Sequence, residues 1–166
     1  FTKELLPVYT ESELDYAQHM SQSVTLDKVD LSRYTYLTKE DLLNCKNQLD
    51  GKVMCDMVFP FYEESPDHFM AGSSDVGDVS FNVPTAQIVT ACYAINTPDH
   101  SWQLVSQGRT SIAHKGMLLA AKVIAGSVID VIASKEVIQK AKDELKERLD
   151  GQKYYCAIPK EVKPRP

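Results

Sequence analysis

The sequence has no excess of positive charge, and this absence bears on the partners that the protein can have. Its 166 residues include 18 lysine and arginine residues against 23 aspartate and glutamate residues, for a formal net charge of -5. Nucleic-acid-binding domains usually carry a clustered basic surface, whereas the basic residues here are spread out, apart from a short C-terminal tail. The composition therefore argues against a nucleic-acid partner.

Closely spaced cysteines are also absent. No two of Cys45, Cys55, Cys92 and Cys156 have the CxxC spacing of a zinc knuckle or a redox motif. A chain of this length can bury a sizeable core without disulfides, so we expect free thiols. The first residues have no secretory signal pattern, and the two observations together predict a cytoplasmic protein.

The sequence lacks a hydrophobic run that is free of charge. Its most apolar stretch, 112–133, contains His114, Lys115, Lys122 and Asp130. This pattern predicts a buried helix and no membrane partner.

The sequence also contains no P-loop, GxGxxG, GxSxG or HExxH motif, so nucleotide-binding, serine-hydrolase and zincin functions lack their basic signal.

Four helices are predicted from capping signals and periodicity. Thr10 precedes a polar helix from Glu11, and Thr38 begins a capping box for a helix from Lys39 to about Leu49. An apolar helix is predicted over 110–133, followed after Ser134 by an amphipathic helix to about Leu149. In that last helix, the apolar face is expected at Val137, Ala141, Leu145 and Leu149.

Strand signals are fewer. The β-branched, apolar run 87–95 is the best candidate and fits a strand covered on both faces, while 57–59 and 154–159 are marginal. The fold class expected from these elements is α/β, helix-rich and incomplete on its own. The chain also begins at Phe1 and not at a methionine, so we expect a processed or truncated polypeptide.

Two turns contain the residues that are best suited to binding or catalysis. Ser74, Asp75 and Asp78 lie in the glycine- and serine-rich stretch 72–80, and His100 lies in a second turn at 97–102. Such residues bind metals, orient ligands or move protons. Taken alone, however, the aspartates are also typical turn formers and helix caps, and a single histidine in a turn is also typical of a surface or capping position.

The order of motifs along the chain resembles a known family. The matching segments share one order, in which Glu4-Leu5-Leu6-Pro7 is followed by the stretches 72–80, 83–87, 97–103, 111–117 and 162–165. Together they resemble the C-terminal part of amidohydrolases of the dinuclear zinc aminoacylase/carboxypeptidase superfamily, among them enzymes acting on p-aminobenzoyl-glutamate. The resemblance implies that residues 1–166 are the second segment of a three-layer α/β/α catalytic domain. The N-terminal metal-ligand segment and the lid and dimerisation domain would then be absent.

The resemblance also implies roles for individual residues. His100 matches the last metal ligand of the family, for zinc or manganese, and Ser74, Asp75 and Asp78 match a loop that lines the substrate. The remaining ligands and the general-base glutamate come from the N-terminal segment in this family, so no catalytic residue is expected in this chain and the fragment alone should be inactive. The implied partners are a small-molecule amide, the rest of the catalytic domain, and a second subunit in a homodimer or hetero-oligomer.

Two alternatives stay open at this point. The fold could serve as a non-catalytic binding or assembly subunit, because the missing ligands cannot be judged from this chain. The chain could also be a complete small helical domain with no missing part.

Overall fold

The computed structural model describes residues 3–24, 29–31, 34, 36–61, 74–159 and 161–163. The sequence of residues 63–67 predicts an acidic turn, and this turn lies outside the described part, as do Gly72, Ser73 and the last three residues. Residues 23–37 have only weak periodicity, which predicts a loop, and the described residues among them form no helix or strand.

The described residues form a helical structure. A short 3-10 turn at Lys3–Leu5 is followed by six helices, which are α1 (Glu11–Gln22), α2 (Lys39–Leu49), α3 (Val76–Ser80), α4 (Trp102–Gln107), α5 (Ser111–Ala133) and α6 (Lys135–Leu149). The four helices predicted from the sequence correspond to α1, α2, α5 and α6. Only the two short helices were not predicted.

Capping explains why α1 and α2 begin where they do. The Thr10 and Thr38 side chains each accept a hydrogen bond from the backbone N–H three residues on, and Glu13 and Asp41 accept one from the backbone N–H of the capping threonine. Both reciprocal capping boxes are therefore formed, which satisfies backbone donors that a helix start leaves free.

Left-handed residues follow α2 and α6. Gly51 lies just beyond α2 with a φ of 70°, and Asp150 and Gly151 follow α6 with φ of 44° and 75°. A glycine in this region ends a helix at little steric cost.

The chain divides into two compact units. The first comprises Phe1–Ala71 and Ile88–Ala125, and the second comprises Gly72–Gln87 and Gly126–Pro166. Helix α5 belongs to both, since the division falls after Ala125.

The first unit contains two hydrophobic clusters. In one, Ala17 of α1, Met54, Ala94 and Ile112 of α5 are buried together. In the other, Leu31, Leu37, Cys45 and Leu49 are buried, with Tyr34, Phe59 and other half-buried side chains around them. Burial of these side chains stabilises the first unit.

The second unit differs sharply in burial. None of its described residues is buried, and the inner positions of α6 are only half-buried. Those positions are Ile138, Ala141, Leu145 and Leu149, so Ile138 occupies the place on this face that was predicted for Val137, which is 47% exposed.

The predicted strands are not present in the described residues. Residues 57–59, 87–95 and 154–159 form neither a helix nor a strand. The 87–95 segment is joined to a neighbouring segment by a hydrogen bond from the Ile95 N–H to the Val53 carbonyl, at 2.9 Å. A strand requires a paired ladder, and β-rich composition alone cannot supply the partner. The α/β three-layer arrangement is therefore not confirmed by the structure.

Helix α5 is less buried than its composition predicts. Ile112, Ala113, Gly116 and Leu119 are buried, but only 11% of its most apolar 18-residue window is buried, with a mean hydropathy of 1.9. Among the described helices, its length and composition would also suffice to cross a membrane, a test that core helices of soluble proteins pass as well. The expectation of a deeply buried helix is thus met on one side only.

Candidate functional site

His100, the predicted metal ligand, lies exposed at the end of a turn in the first unit. Its backbone is left-handed, with a φ of 57°, which is uncommon for a residue other than glycine. The next residue, Ser101, caps α4 by accepting a hydrogen bond from the Leu104 N–H at 3.2 Å and donates one to the Pro98 carbonyl at 2.6 Å. The histidine is therefore held at a fixed place in front of a helix.

A buried glutamine fixes the backbone of this turn through hydrogen bonds. Gln107 of α4 is fully buried, and its Oε1 accepts a hydrogen bond from the Ala94 N–H at 2.8 Å. Its Nε2 donates to Thr97 Oγ1 at 3.0 Å, and Thr97 in turn donates to the Ala94 carbonyl at 2.7 Å. A satisfied buried polar network of this kind is rigid, so Gln107 positions the backbone that leads to His100.

Sequence reasoning did not identify Gln107. Its only signal is its spacing, because it lies three residues after Leu104 and so on the same side of α4. Trp102, at the start of the helix, is 64% exposed. A lone tryptophan in a soluble protein is typically expected to pack in a core, and this exposure does not support such a role for Trp102.

The predicted substrate loop lies at the start of α3 in the second unit. Ser74 Oγ accepts a hydrogen bond from the Val76 N–H at 3.2 Å, and Asp75 occupies the N-cap position without a side-chain capping bond. Ser74, Asp75 and Asp78 are all exposed. The turn-forming role is thus carried by Ser74, while the Asp75 carboxylate makes no hydrogen bond with the described residues.

Asp78 is tied to the C-terminal tail. The Tyr154 hydroxyl donates a hydrogen bond to Asp78 Oδ1 at 3.1 Å, and the rings of Phe81 and Tyr154 lie 6.4 Å apart. Hydrogen bonding to Cys156 and to Asp78 raises the pKa of Tyr154 to about 12, because both interactions favour the protonated phenol. Tyr154 therefore stays a neutral donor to Asp78 at all physiological pH values.

The predicted site residues fall into different units. Ser74, Asp75 and Asp78 belong to the second unit, and His100 belongs to the first. Their convergence on one site stays a prediction.

The described residues by themselves do not fit a metal ion. No group of three or more histidine, cysteine, aspartate or glutamate side chains converges among them. A lone imidazole does not supply the three or four ligands that a zinc site needs. Further ligands would have to come from residues outside the described part of this chain.

An ion pair between the buried Glu13 and the half-buried Lys115 is the main electrostatic feature that sequence reasoning missed. Glu13 of α1 is 7% exposed and accepts hydrogen bonds from Lys115 Nζ at 2.5 Å, from Ser111 Oγ at 2.6 Å and from the Thr10 N–H at 2.7 Å. These three donors, with Lys115 first, lower the pKa of Glu13 to about 2. Lys115 also donates to the Val8 carbonyl at 2.8 Å, so the pair joins α1 and α5 to the chain start.

A cavity of about 410 Å³ lies beside α2. Asp41, Cys45, Asp56 and Met57 are among its lining residues, and none of the four predicted site residues lines it. Its chemistry therefore gives no support to the predicted site.

Comparison with known proteins identifies a relative. Over 114 residues the chain is 47% identical to the p-aminobenzoyl-glutamate hydrolase B subunit of Escherichia coli (strain K12). The resemblance inferred from the motifs is confirmed. The matched part covers 69% of this chain but only 23% of the Escherichia coli protein, so the chain spans less than a quarter of the length of this relative.

The other two comparisons give no match. No protein-family model matches the chain, and no solved structure matches it. The likeness to the hydrolase subunit is thus the comparison on which a functional proposal can draw.

Proposed function

We propose that this chain is the C-terminal part of the catalytic domain of a metal-dependent amidohydrolase. The complete protein would cleave the amide bond of an N-acyl or N-aroyl amino acid such as p-aminobenzoyl-glutamate, in the cytoplasm. The 47% identity to a protein named as a p-aminobenzoyl-glutamate hydrolase subunit supports the reaction class. The three-layer α/β/α arrangement belongs to this proposal as well, with the strands of its sheet supplied by the rest of the domain.

In this proposal, His100 supplies one ligand to a zinc or manganese ion. The observation that supports it is the turn itself, in which a buried glutamine network fixes the backbone and leaves the imidazole exposed. When bound, such a metal would polarise the amide carbonyl and activate a water molecule. Because the other ligands and the general base would come from outside this chain, no catalytic step is assigned to the residues described here.

The loop at 74–78 would form one wall of the substrate site. Its two carboxylates would repel a substrate carboxylate, so they suit the amide N–H end of the substrate better. Asp78 already accepts a hydrogen bond from Tyr154, whereas Asp75 makes no side-chain capping bond and keeps its acceptor oxygens available. We therefore assign the substrate contact to Asp75, with Ser74 shaping the turn and Asp78 holding it to the tail.

The test of the metal assignment uses the complete gene product. His100→Ala should lower the bound metal and reduce hydrolysis of p-aminobenzoyl-glutamate by about a hundredfold or more, since loss of a ligand impairs water activation. The matched control is His19→Ala, because His19 is an exposed histidine whose Nδ1 bonds to the Asp15 carbonyl in its own helix. Unchanged metal content and unchanged hydrolysis in His100→Ala would overturn the assignment.

A second candidate function is a non-catalytic binding or assembly subunit of the same fold. The relative is named as a subunit, which favours this alternative. The purified complete gene product distinguishes the two. Hydrolysis by the protein alone supports the enzyme, and hydrolysis only after addition of a second, different subunit with intact metal ligands supports the assembly role.

A further inference from the structure

The exposed side of α4 carries the one tryptophan of the sequence. Trp102 is 64% exposed, and Val105, three residues on and so on the same side of the helix, is 75% exposed. The fully buried Gln107 lies on the opposite side. Tryptophan is highly buried on average in folded proteins and is enriched at binding surfaces, so an indole with this exposure is suited to ligand contact.

The backbone of Trp102 is already fixed by its neighbours. Ser101 caps α4 directly before it, with Oγ accepting a hydrogen bond from the Leu104 N–H at 3.2 Å, and the buried Gln107 Nε2 donates to the Gln103 carbonyl at 3.1 Å. The Trp102 indole has no ring or hydrogen-bond partner among the described residues. Because tryptophan is a rigid side chain on a fixed backbone, little entropy is lost when another ring binds to it.

Trp102 lies close to His100 along the chain. It follows His100 by two residues, and two residues span at most about 7 Å, so the two Cα atoms lie within that distance of each other. In an aroyl amide, the aromatic ring is bonded directly to the carbonyl carbon. A substrate whose carbonyl lies at His100 therefore has its ring within reach of the Trp102 side chain.

We propose that Trp102 is a specificity-determining residue, whose indole stacks on the aromatic acyl group of the substrate. This proposal rests on the proposed function in placing the amide carbonyl at His100. The p-aminobenzoyl group of the proposed substrate presents a flat, uncharged ring. Offset stacking of two aromatic rings stabilises a complex beyond the effect of the apolar area that it buries. Trp102 then favours aroyl over aliphatic acyl groups.

Steady-state kinetics of the complete gene product test this role. Trp102→Leu should raise KM for p-aminobenzoyl-glutamate about tenfold and leave kcat nearly unchanged, because stacking stabilises the bound substrate and the transition state equally. Acetyl-glutamate has the same amino acid and no ring, so its Ki as a competing ligand should stay the same. Trp102→Phe keeps a stacking surface and should raise KM by less than about threefold. Unchanged KM in Trp102→Leu, or an equal rise in KM and in the Ki of acetyl-glutamate, would overturn the proposal.

Binding of p-aminobenzoate, measured by calorimetry, provides a readout that does not require hydrolysis. Trp102→Leu should weaken this binding about tenfold. The matched control is Tyr155→Leu, because Tyr155 is an aromatic residue that is 86% exposed, and this variant should leave the Kd unchanged. Equal Kd values for the wild type and Trp102→Leu, or no binding to the wild type, would contradict the stacking role.

Thermal melting distinguishes ligand contact from a packing role. Trp102→Leu should change the Tm of the complete gene product by less than about 2 °C, since substitutions at exposed positions have little effect on stability. A fall of about 5 °C or more would show that the indole packs against another part of the polypeptide. That result would also overturn the proposal.

These outcomes differ from those that test the proposed function. Weaker p-aminobenzoate binding in Trp102→Leu, in a complete gene product that does not hydrolyse the amide, would retain the aromatic subsite and reject the enzyme. Normal hydrolysis by the wild type, with an unchanged KM in Trp102→Leu, would retain the enzyme and reject the subsite.

Discussion

At the scale of single residues, the Glu13–Lys115 pair makes stability depend on pH. The pKa of Glu13 is about 2 in the folded protein, against an ordinary value of 4.5. Because the unfolded chain binds this proton first, the contribution of Glu13 is fully present above about pH 5 and is lost as the pH falls towards 2. Urea unfolding at several pH values should show a steeper acid loss of stability in the wild type than in Glu13→Gln. Identical pH profiles would contradict the assignment.

Substitution of Lys115 should also lower the free energy of unfolding. Lys115→Met leaves the buried Glu13 carboxylate without its cationic donor and should lower the free energy of unfolding by about 3 kcal/mol at pH 7. The control is Lys140→Met, because Lys140 pairs with Glu136 on the exposed surface of α6, where such a pair contributes little. Equal losses for the two variants, measured by urea unfolding, would show that the Glu13–Lys115 pair contributes no more to stability than an exposed pair.

The Tyr9 hydroxyl is a polar group that the fold leaves unsatisfied. It is buried and has no hydrogen-bond partner among the described residues, and burial raises the pKa of Tyr9 to about 12. Tyr9→Phe removes an unpaired donor and keeps the ring beneath Lys115 Nζ, 5.6 Å from its centroid. We expect a gain of about 1 kcal/mol in thermal or urea unfolding. Tyr155→Phe, at a site that is 86% exposed, should change nothing.

At the scale of elements, Gly116 allows α5 to approach the segment at 91–92. A Cβ at this position would clash with the Ala91 carbonyl and lie 2.7 Å from Cys92 Sγ, and Thr90 Oγ1 donates to the Gly116 carbonyl at 3.0 Å. Gly116→Ala should therefore destabilise the protein by about 1–3 kcal/mol, although alanine favours helix. Gly77→Ala is the control, since nothing lies within 4 Å of its Cβ and it should be neutral or slightly stabilising. Urea unfolding measures both, and an unchanged midpoint in Gly116→Ala would contradict the close approach.

The starts of the helices could be predicted from capping residues that lie next to them in the sequence. Thr38 and Ser134 predicted the starts of α2 and α6 correctly, because a capping side chain acts on backbone groups within three residues. The strand-like run 87–95 shows the opposite. Its composition predicts a strand, but pairing needs a neighbour that the described residues do not provide.

At the scale of the whole molecule, the two units should differ in stability. The first unit has two buried clusters, and the second has no buried residue among those described. Hydrogen exchange of this chain should show faster amide exchange in the part of α6 from 138 to 149 than in α1, because local opening costs less where few apolar contacts are lost. Equal protection of α1 and α6 would indicate that the second unit is already complete.

The candidate site was predictable only in part, for reasons that concern distance along the chain. The motif order led to the resemblance with the amidohydrolases, and comparison confirmed it. The Gln107 network and the Glu13–Lys115 pair were not predicted, because the latter joins residues about a hundred positions apart and neither has a local motif. Whether His100 and Asp75 meet depends on packing between segments, which no spacing in the sequence records.

The sequence by itself determined where the long helices begin and end, because capping boxes, turn glycines and apolar periodicity act over a few residues. It also determined that α5 is apolar over most of its surface. Only the tertiary structure decided which side of α5 this chain covers and which it leaves exposed, because burial depends on segments that are remote in sequence. The same holds for His100. The sequence predicts its turn, but the hydrogen bonds of the buried Gln107 that fix this turn form only in the folded chain.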